Sequence, residues 1–176
     1  QQHKVLALTP SYVRARGWSS TVLPPDSGDV ERSVERFRDA RPPASLLLVN
    51  RYDGLDLPGD TCRVMVLDGL PSGVGPLERY LWQQLRQVKT LRSMIASRVV
   101  QSFGRISRGM SDHGVVAIAG SDLVRWLLSP VNLAALPVFL QKQLRLGIVV
   151  SKEAESTDAL IDAVDQCLGR DPGWIA

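Results

Sequence analysis

The sequence predicts an α/β protein with a mostly parallel central sheet. Four short apolar runs have the length of buried strands, at 5–8, 46–49, 64–67 and 115–119. Each run is apolar at successive positions, as is typical of strands that helices cover on both faces. Segments with helical periodicity separate the runs. This alternation favours a single α/β domain, which the length of 176 residues also suits.

The first third of the chain contains one clear strand and one clear helix. The run Val5–Leu8 ends in the turn-forming sequence Thr9-Pro10-Ser11, and Thr21–Leu23 is a weaker strand candidate followed by two prolines. Ser27–Ala40 is predicted to be helical because its apolar residues, spaced four and three apart, share one face. These residues are Val30, Val34 and Phe37. A second Pro-Pro pair prevents the helix from continuing.

The remainder is predicted to be mainly helical around the last strands. Residues 69–76 are rich in Gly and Pro and predict a loop, and a helical pattern then runs from Leu77 to about Gln101. After the fourth strand, Pro130 and Pro137 divide the chain into short helices. A terminal helix closed by Gly169 carries an apolar stripe. The stripe consists of Leu160, Ile161, Val164 and Leu168.

The composition excludes a disordered tail, a collagen-like chain, a disulfide scaffold and a transmembrane helix. The hydrophobic fraction of 44% and the charged fraction of 22% are ordinary for a globular protein, and no apolar run approaches the roughly 18 residues of a membrane span. Cys62, Cys167, His3 and His113 lack the spacing of metal ligands, so we expect no metal site and reduced thiols in a cytoplasmic protein. Without an initiator Met or a signal peptide, the chain is expected to be an excised domain or a processed product.

The net charge of +3 hides an uneven distribution. Between Arg79 and Ser111 the chain carries seven basic residues and no acidic one, which leaves −4 for the rest. A basic segment of this kind indicates a polyanionic partner, although a solvated helix face is the alternative. For Arg98 we favour a structural ion pair. The acidic segment Glu153–Asp171 is expected to be a solvated face, or else to dock on a partner.

One polar segment directly follows the second strand. It spans residues 50–59 and begins with Asn50 and Arg51. In parallel sheets, ligands bind in the loops beyond the carboxyl ends of the strands. Asp53 and Asp56 flank Gly54, which permits close approach of a ligand to the backbone. The alternatives are that Gly54 only supplies a turn and that Asp56 only caps one.

A second polar segment precedes the fourth strand. Gln101, Arg105 and Arg108 are spaced four and three apart, and on a helix they would share one face. The side chains of one Gln and two Arg at the edge of a sheet are suited to binding a triphosphate. Arg neutralises the charge that develops on a transferred phosphoryl group, and Gln orients a water molecule. Gly104 is expected near a helix break.

These segments resemble the motifs of superfamily 2 DEAD/DEAH-box helicases. Residues 101–108, with the pattern QxxGRxxR, resemble motif VI; residues 51–60 resemble motif V; and Leu8–Ser11 resemble motif IV. The order and spacing are those of the second RecA-like domain, and the XPD/DinG-like branch is the most similar pattern. The resemblance covers roughly 4–145 and implies a RecA-like three-layer fold of the P-loop NTPase class.

The resemblance implies one domain over residues 1–176, with a motif-bearing core at about 4–128 and a helical extension at about 131–170. It also implies roles in ATP hydrolysis. Arg105 and Arg108 resemble arginine fingers that reach the γ-phosphate of ATP, and Gln101 resembles the residue near the attacking water. The motif V residues, expected to bind and sense the nucleotide, are Asp53, Gly54 and Asp56. For Asp53, pairing with a neighbouring Arg is the alternative.

The resemblance also implies contacts with the phosphate backbone of a nucleic-acid strand, single-stranded or duplex, with DNA expected. These contacts are assigned to Thr9, Ser11, Asn50 and Arg51. For Ser11, a helix cap is the alternative. The expected protein partner is an N-terminal RecA-like domain of the same polypeptide, and no membrane is involved.

Two motifs of an ATPase site are missing from this sequence. It contains neither GxxxxGK[ST] nor a DExx tetrad, so ATP and Mg²⁺ are expected to be held mainly by the N-terminal domain. The chain is therefore expected to be part of an ATP-dependent helicase and to hydrolyse negligible ATP alone. The alternatives are a non-catalytic nucleic-acid- or protein-docking module with a degenerate RecA fold, and an unrelated nucleotide-binding α/β enzyme.

Overall fold

Parallel strand pairing organises the molecule. The computed structural model describes residues 3–52, 57, 61–72, 75–76, 80, 87–106 and 113–175. Within these ranges, four strands form one sheet in the order β2-β1-β3-β4, and every neighbouring pair is parallel. The strands are β1 (Lys4–Thr9), β2 (Ala44–Val49), β3 (Val64–Asp68) and β4 (Val115–Ala119). All four predicted strand runs and their parallel arrangement are confirmed.

Helices surround the sheet and connect its strands. Two short elements follow β1: the helix α1 (Tyr12–Ala15) and a 3₁₀ turn (Arg16–Trp18). The longer helices of the described residues are α2 (Val30–Asp39), α3 (Val88–Phe103), α4 (Ser121–Leu128), α6 (Val138–Glu153) and α7 (Thr157–Gly169). Two further one-turn helices in the described part of the chain are α5 (Pro130–Leu133) and α8 (Pro172–Ile175).

Two apolar clusters pack against the sheet: a large core, and a smaller cluster of Ala7, Ala15 and Leu47. Leu6, Leu8 and Met65 of the two central strands are fully buried, as expected for residues covered on both faces. The predicted apolar face of α2 is buried against the same core. Helices α3, α4 and α6 add further buried side chains. These are Ile95, Val99, Leu123, Leu127, Leu140 and Leu144, among others.

One sequence prediction differs from the structure. Thr21–Leu23 is not a strand: Thr21 and Val22 donate backbone hydrogen bonds to the carbonyl of Trp18, which makes a turn, and Leu23 is exposed. The helix predicted from Leu77 to about Gln101 is confirmed over Val88–Phe103, while 77–79 and 81–86 lie outside the described residues. The predicted stops at Pro130 and Pro137 are confirmed, since Pro130 begins α5 and Pro137 precedes α6.

The C-terminal helix α7 lies against the core at the side of β4. Asp165 pairs with His3 at 3.2 Å, and the carbonyl of Leu168 lies 3.3 Å from Nε2 of His113. The predicted stripe of α7 is not buried, since Leu160 and Ile161 are 41% and 52% exposed. In the ranges that the structure describes, no helix is long and apolar enough to span a membrane.

Candidate functional site

The carboxyl ends of the four strands lie along one edge of the sheet, because all four strands are parallel. Asn50 follows β2, Pro10 follows β1, Gly69 follows β3 and Gly120 follows β4. Loops at this edge are the usual ligand-binding positions of an open parallel sheet. The residues predicted at 9–11 and 50–51 lie on this edge.

The backbone of Asn50 turns the chain away from β2. Asn50 has φ 53°, a left-handed conformation that Asn tolerates better than most residues, and its N–H donates to the carbonyl of Thr9 at 2.8 Å. Asn50 and Arg51 are exposed, as a strand contact requires. Thr9 is 0% exposed, and its hydroxyl has no hydrogen-bond partner in this structure. The Thr9 side chain is therefore buried in this structure, and its contact with a strand stays a prediction.

Ser11 caps the helix that follows β1. Its hydroxyl accepts a hydrogen bond from the N–H of Arg14 at 3.3 Å, and its carbonyl accepts one from Ala15 at 3.0 Å. The capping alternative considered for Ser11 is therefore confirmed. Ser11 is only half buried and still lines an open cleft, so a cap and a ligand contact are compatible.

The motif V residues Asp53, Gly54 and Asp56 lie outside the described residues. The residues on either side of them are anchored in the core, since Tyr52 and Leu57 are buried. The chain therefore passes from the exposed Arg51 to the buried Tyr52 within one residue.

Motif VI is split by the end of a helix. Gln101 is exposed in the last turn of α3, and the N–H of Gly104 closes the helix on the carbonyl of Val100 at 3.0 Å. Arg105 lies in the following turn, with its N–H on the carbonyl of Ser102 at 3.2 Å. The predicted helix break near Gly104 is therefore confirmed, and Gln101 and Arg105 do not lie on one continuous helix. Arg108 lies outside the described residues.

The Arg105 side chain joins the two motif segments. Arg105 is 5% exposed, and its Nη2 donates a hydrogen bond to the carbonyl of Arg51 at 3.1 Å. A guanidinium so deeply buried needs hydrogen-bond acceptors to offset the loss of water. Arg51 and Arg105, which are 54 residues apart in the sequence, therefore meet in the fold.

A second arginine, Arg14, organises the other half of the edge. Its Nε donates to Oδ1 of Asp68 at 2.9 Å, and its Nη1 lies 3.5 Å from Oδ1 of Asp122. The indole N–H of Trp18 donates to the other oxygen of Asp68 at 2.8 Å. The hydrogen bond with Asp68 raises the pKa of Arg14, although burial opposes this effect. The cluster therefore connects the ends of β1, β3 and β4.

Asp122 is held as a carboxylate. Burial raises the pKa of its carboxyl, but hydrogen bonds from the N–H groups of Leu70 and Leu123 and the charge of Arg14 outweigh that effect, so the pKa lies below its ordinary value. The bond from Leu70 to Oδ2 is 3.1 Å long. Asp122 thereby fixes the start of the loop after β3.

Two glycines make room for Arg14. Gly69 and Gly120 have φ 99° and 87°, and a Cβ at either position would collide with the Arg14 side chain. Both glycines come directly after a strand, at Asp68-Gly69 and Ala119-Gly120. Glycines following two neighbouring strands were the signal that could have located this cluster in the sequence. Because glycines in ordinary turns give the same pattern, the sequence alone did not identify the cluster.

An open cleft of about 660 Å³ lies beside the cluster. Its lining mixes hydroxyl, charged and apolar groups and belongs to the ends of β1, β3 and β4. The lining residues are Pro10, Ser11, Val13, Arg14, Leu70, Ser72 and Asp122.

The described residues offer cationic groups rather than a metal site. Among them, no group of three His, Cys, Asp or Glu side chains could hold a metal ion. Arg51 is exposed at the sheet edge, whereas the guanidinium of Arg105 is buried and donates to the carbonyl of Arg51.

Comparison with known families identifies the region that carries these segments. The sequence model described as the helicase C-terminal domain matches residues 1–125, which include all three motif segments. The match agrees with the XPD/DinG-like resemblance of the motifs and with the α/β sheet, so the fold is RecA-like. No curated protein matches the chain.

Proposed function

The chain belongs to the helicase C-terminal domain family, and from this premise we propose that it is the second RecA-like domain of an ATP-dependent nucleic-acid helicase acting on DNA. The observation that carries the proposal is the contact between Arg105 and the carbonyl of Arg51. This contact supports a shared site because it joins the segment that follows a strand end to the segment with the arginine-finger pattern.

In this proposal, ATP binds between this domain and an N-terminal RecA-like domain of the same polypeptide, which holds most of the nucleotide and Mg²⁺. Hydrolysis of bound ATP supplies the free energy for movement along the strand. Arg105 and Arg108 stabilise negative charge on the transferred phosphoryl group, and Gln101 orients the attacking water. The domain boundaries proposed are the core at about 4–128 and the helical extension at about 131–170.

In this structure Nη2 of Arg105 donates to the carbonyl of Arg51. A guanidinium has five N–H donors, and its hydrogen bonds to a charged oxygen are roughly twice as strong as those to a neutral acceptor. Binding of Arg105 to a phosphate oxygen in the closed state is therefore compatible with its contact to the start of the motif V segment.

The strand lies along the sheet edge in this proposal. Ser11, Asn50 and Arg51 provide polar and cationic groups there, while Thr9 acts through its carbonyl, which holds Asn50. Asp53, Gly54 and Asp56 are proposed to couple nucleotide to strand. Backbone contacts of this type bind strongly at low salt and carry little sequence preference.

A second candidate is a nucleic-acid-docking module that does not use ATP. The burial of Arg105 favours it, because a guanidinium 5% exposed and bonded to the main chain serves to hold a loop. In that case the exposed edge would bind a strand while Arg105 would have only a structural role.

ATP turnover by the polypeptide with both motor domains separates the two candidates. Arg105→Ala or Arg108→Ala is expected to lower turnover by roughly 10³-fold or more, as for other arginine fingers. Arg145→Ala, an exposed arginine on α6, is the matched control and should leave turnover unchanged. The 176-residue chain alone should show negligible turnover. Near-normal turnover in both variants would exclude the helicase assignment of these arginines.

A further inference from the structure

Helix α6 has two apolar faces, and only one of them is packed. Leu140 and Leu144 are buried in the core. Phe139, Leu146 and Val149 lie on the opposite side of the helix and are 60%, 54% and 49% exposed. A helix that is apolar on both sides is normally covered on both, so the exposed side of α6 is a surface for a further contact.

The exposed residues of α6 form one regular stripe. Together with Lys142 and Glu153, which are also exposed, they are spaced three, four, three and four residues apart. The stripe therefore consists of Phe139, Lys142, Leu146, Val149 and Glu153. This alternation of three and four is the spacing at which two helices pack side by side with interdigitating side chains. The stripe is about 21 Å long, since a helix rises about 1.5 Å per residue.

The order of residues in the stripe is self-complementary. When a second copy of the stripe runs in the opposite direction, Leu146 of one copy faces Val149 of the other, and Lys142 faces Glu153. Each contact occurs twice, as a two-fold axis requires. Apolar side chains then meet at the centre, and opposite charges meet at both ends.

The charges also exclude the parallel arrangement of two such helices. In a parallel pair, Lys142 would face Lys142 and Glu153 would face Glu153, which like-charge repulsion disfavours. Among the described residues, neither Lys142 nor Glu153 forms an ion pair within its own chain, so both are available to a second copy. The other cations of α6, Arg145 and Lys152, lie off the stripe.

We propose that the exposed stripe of α6 is a homodimer interface in which two copies of this helix pack antiparallel. A base and an acid placed symmetrically about the apolar pair Leu146 and Val149 match a second copy of the same stripe. One pair of helices of about four turns makes a small interface, so the dimer is expected to be weak and to form as the concentration rises. The stripe lies beyond residue 125, where the family match ends, and contains none of the residues proposed to bind ATP or a strand.

Charge reversal tests the arrangement. In sedimentation equilibrium, the mass of the 176-residue chain should approach that of two chains at concentrations up to about 500 μM, where contacts with a Kd of about 0.1 mM are populated. Lys142→Glu or Glu153→Lys should raise the Kd of the dimer by about tenfold or more, because each places like charges together at both ends. The variant with both changes should regain the parent Kd. Arg145→Glu, off the stripe, is the matched control and should leave the Kd unchanged.

Cysteine pairs test the register of the two helices. In a Cys167→Ser background, Lys142→Cys mixed with Glu153→Cys should give a disulfide-linked dimer under mild oxidation, since these positions face each other. The mixed dimer keeps the other pair of opposite charges. Either variant alone should not crosslink, because its two new cysteines would lie about 16 Å apart along the helix axis. The remaining native cysteine, Cys62, is buried.

A parent chain that stays monomeric at every concentration would overturn the proposal. So would a dimer whose Kd does not respond to the two charge reversals, or is not restored when they are combined. Equal crosslinking in the mixed and separate samples would also overturn it. Circular dichroism of each variant at low concentration checks that the fold is unchanged. Loss of the proposed ATP turnover would leave the dimer unaffected, so the two proposals fail separately.

Discussion

The sheet and the C-terminal helices differ in how many of their side chains are buried. In β1 and β3 nearly every central side chain is buried, and the strand ends are joined by ion pairs and hydrogen bonds. In α6 only Leu140 and Leu144 are buried, and α7 contains no buried residue. The family match, which ends at residue 125, covers the first region and not the second. The family fold and the candidate site therefore lie in the sheet and along its edge, not in the C-terminal helices.

The largest expected effect on stability is in the sheet. Leu8→Ala removes a fully buried side chain from a central strand and should lower the free energy of unfolding by about 2–5 kcal/mol. Urea denaturation followed by circular dichroism measures it. A loss below about 0.5 kcal/mol would show that the sheet is not the stable unit.

Binding of a strand should depend on the edge and not on the extension. Arg51→Ala removes one exposed cation next to β2, so the slope of log affinity against log salt for oligo(dT) should fall by about 0.7. Fluorescence anisotropy across a salt series gives this slope. Arg145→Ala on α6 carries the same charge change, and an equal effect in this control would place the strand elsewhere.

Lowering the pH should reduce the stability that the Asp122 carboxylate contributes at the sheet edge. Its folded pKa lies below the ordinary value, so its contribution to stability is present above the unfolded pKa of about 3.9 and is lost as pH falls through the folded pKa. The stability difference between the parent and Asp122→Asn should therefore shrink as pH falls from 6 to 3. A difference that stays constant over this range would mean that the carboxylate charge has no part in holding Leu70.

The smallest effect is expected on α7. Ile161→Ser replaces a side chain that is 52% exposed and should change the free energy of unfolding by less than about 0.5 kcal/mol. A loss comparable to that of Leu8→Ala would show that α7 is covered in solution.

The sequence was sufficient for the strands because continuous apolar runs such as Leu46–Val49 have few alternatives. It was sufficient for α2 because Val30, Val34 and Phe37 recur at helical spacing. It failed for Thr21–Leu23, where a turn closed by the carbonyl of Trp18 overrides strand propensity.

The sequence indicated which segments carry the candidate site, but it did not indicate the geometry of their side chains. The motifs assigned Arg51 to the strand and Arg105 to ATP, and the contact between the two residues and the burial of Thr9 depend on tertiary packing. The helix end before Arg105 was predictable from Gly104. The contact between Arg14 and Asp68 spans residues 54 apart, and no local pattern signals a pair at that separation.

The central claim is that the sheet edge, through Arg105, acts on ATP while the extension does not. Its most direct test is ATP turnover with saturating oligo(dT) by Arg105→Lys and Arg145→Lys in the polypeptide with both motor domains. Lys keeps the charge but lacks the planar fork of Arg. Turnover roughly 10³-fold lower in Arg105→Lys, with Arg145→Lys at the parent rate, is predicted. Equal turnover in the two variants would contradict the account.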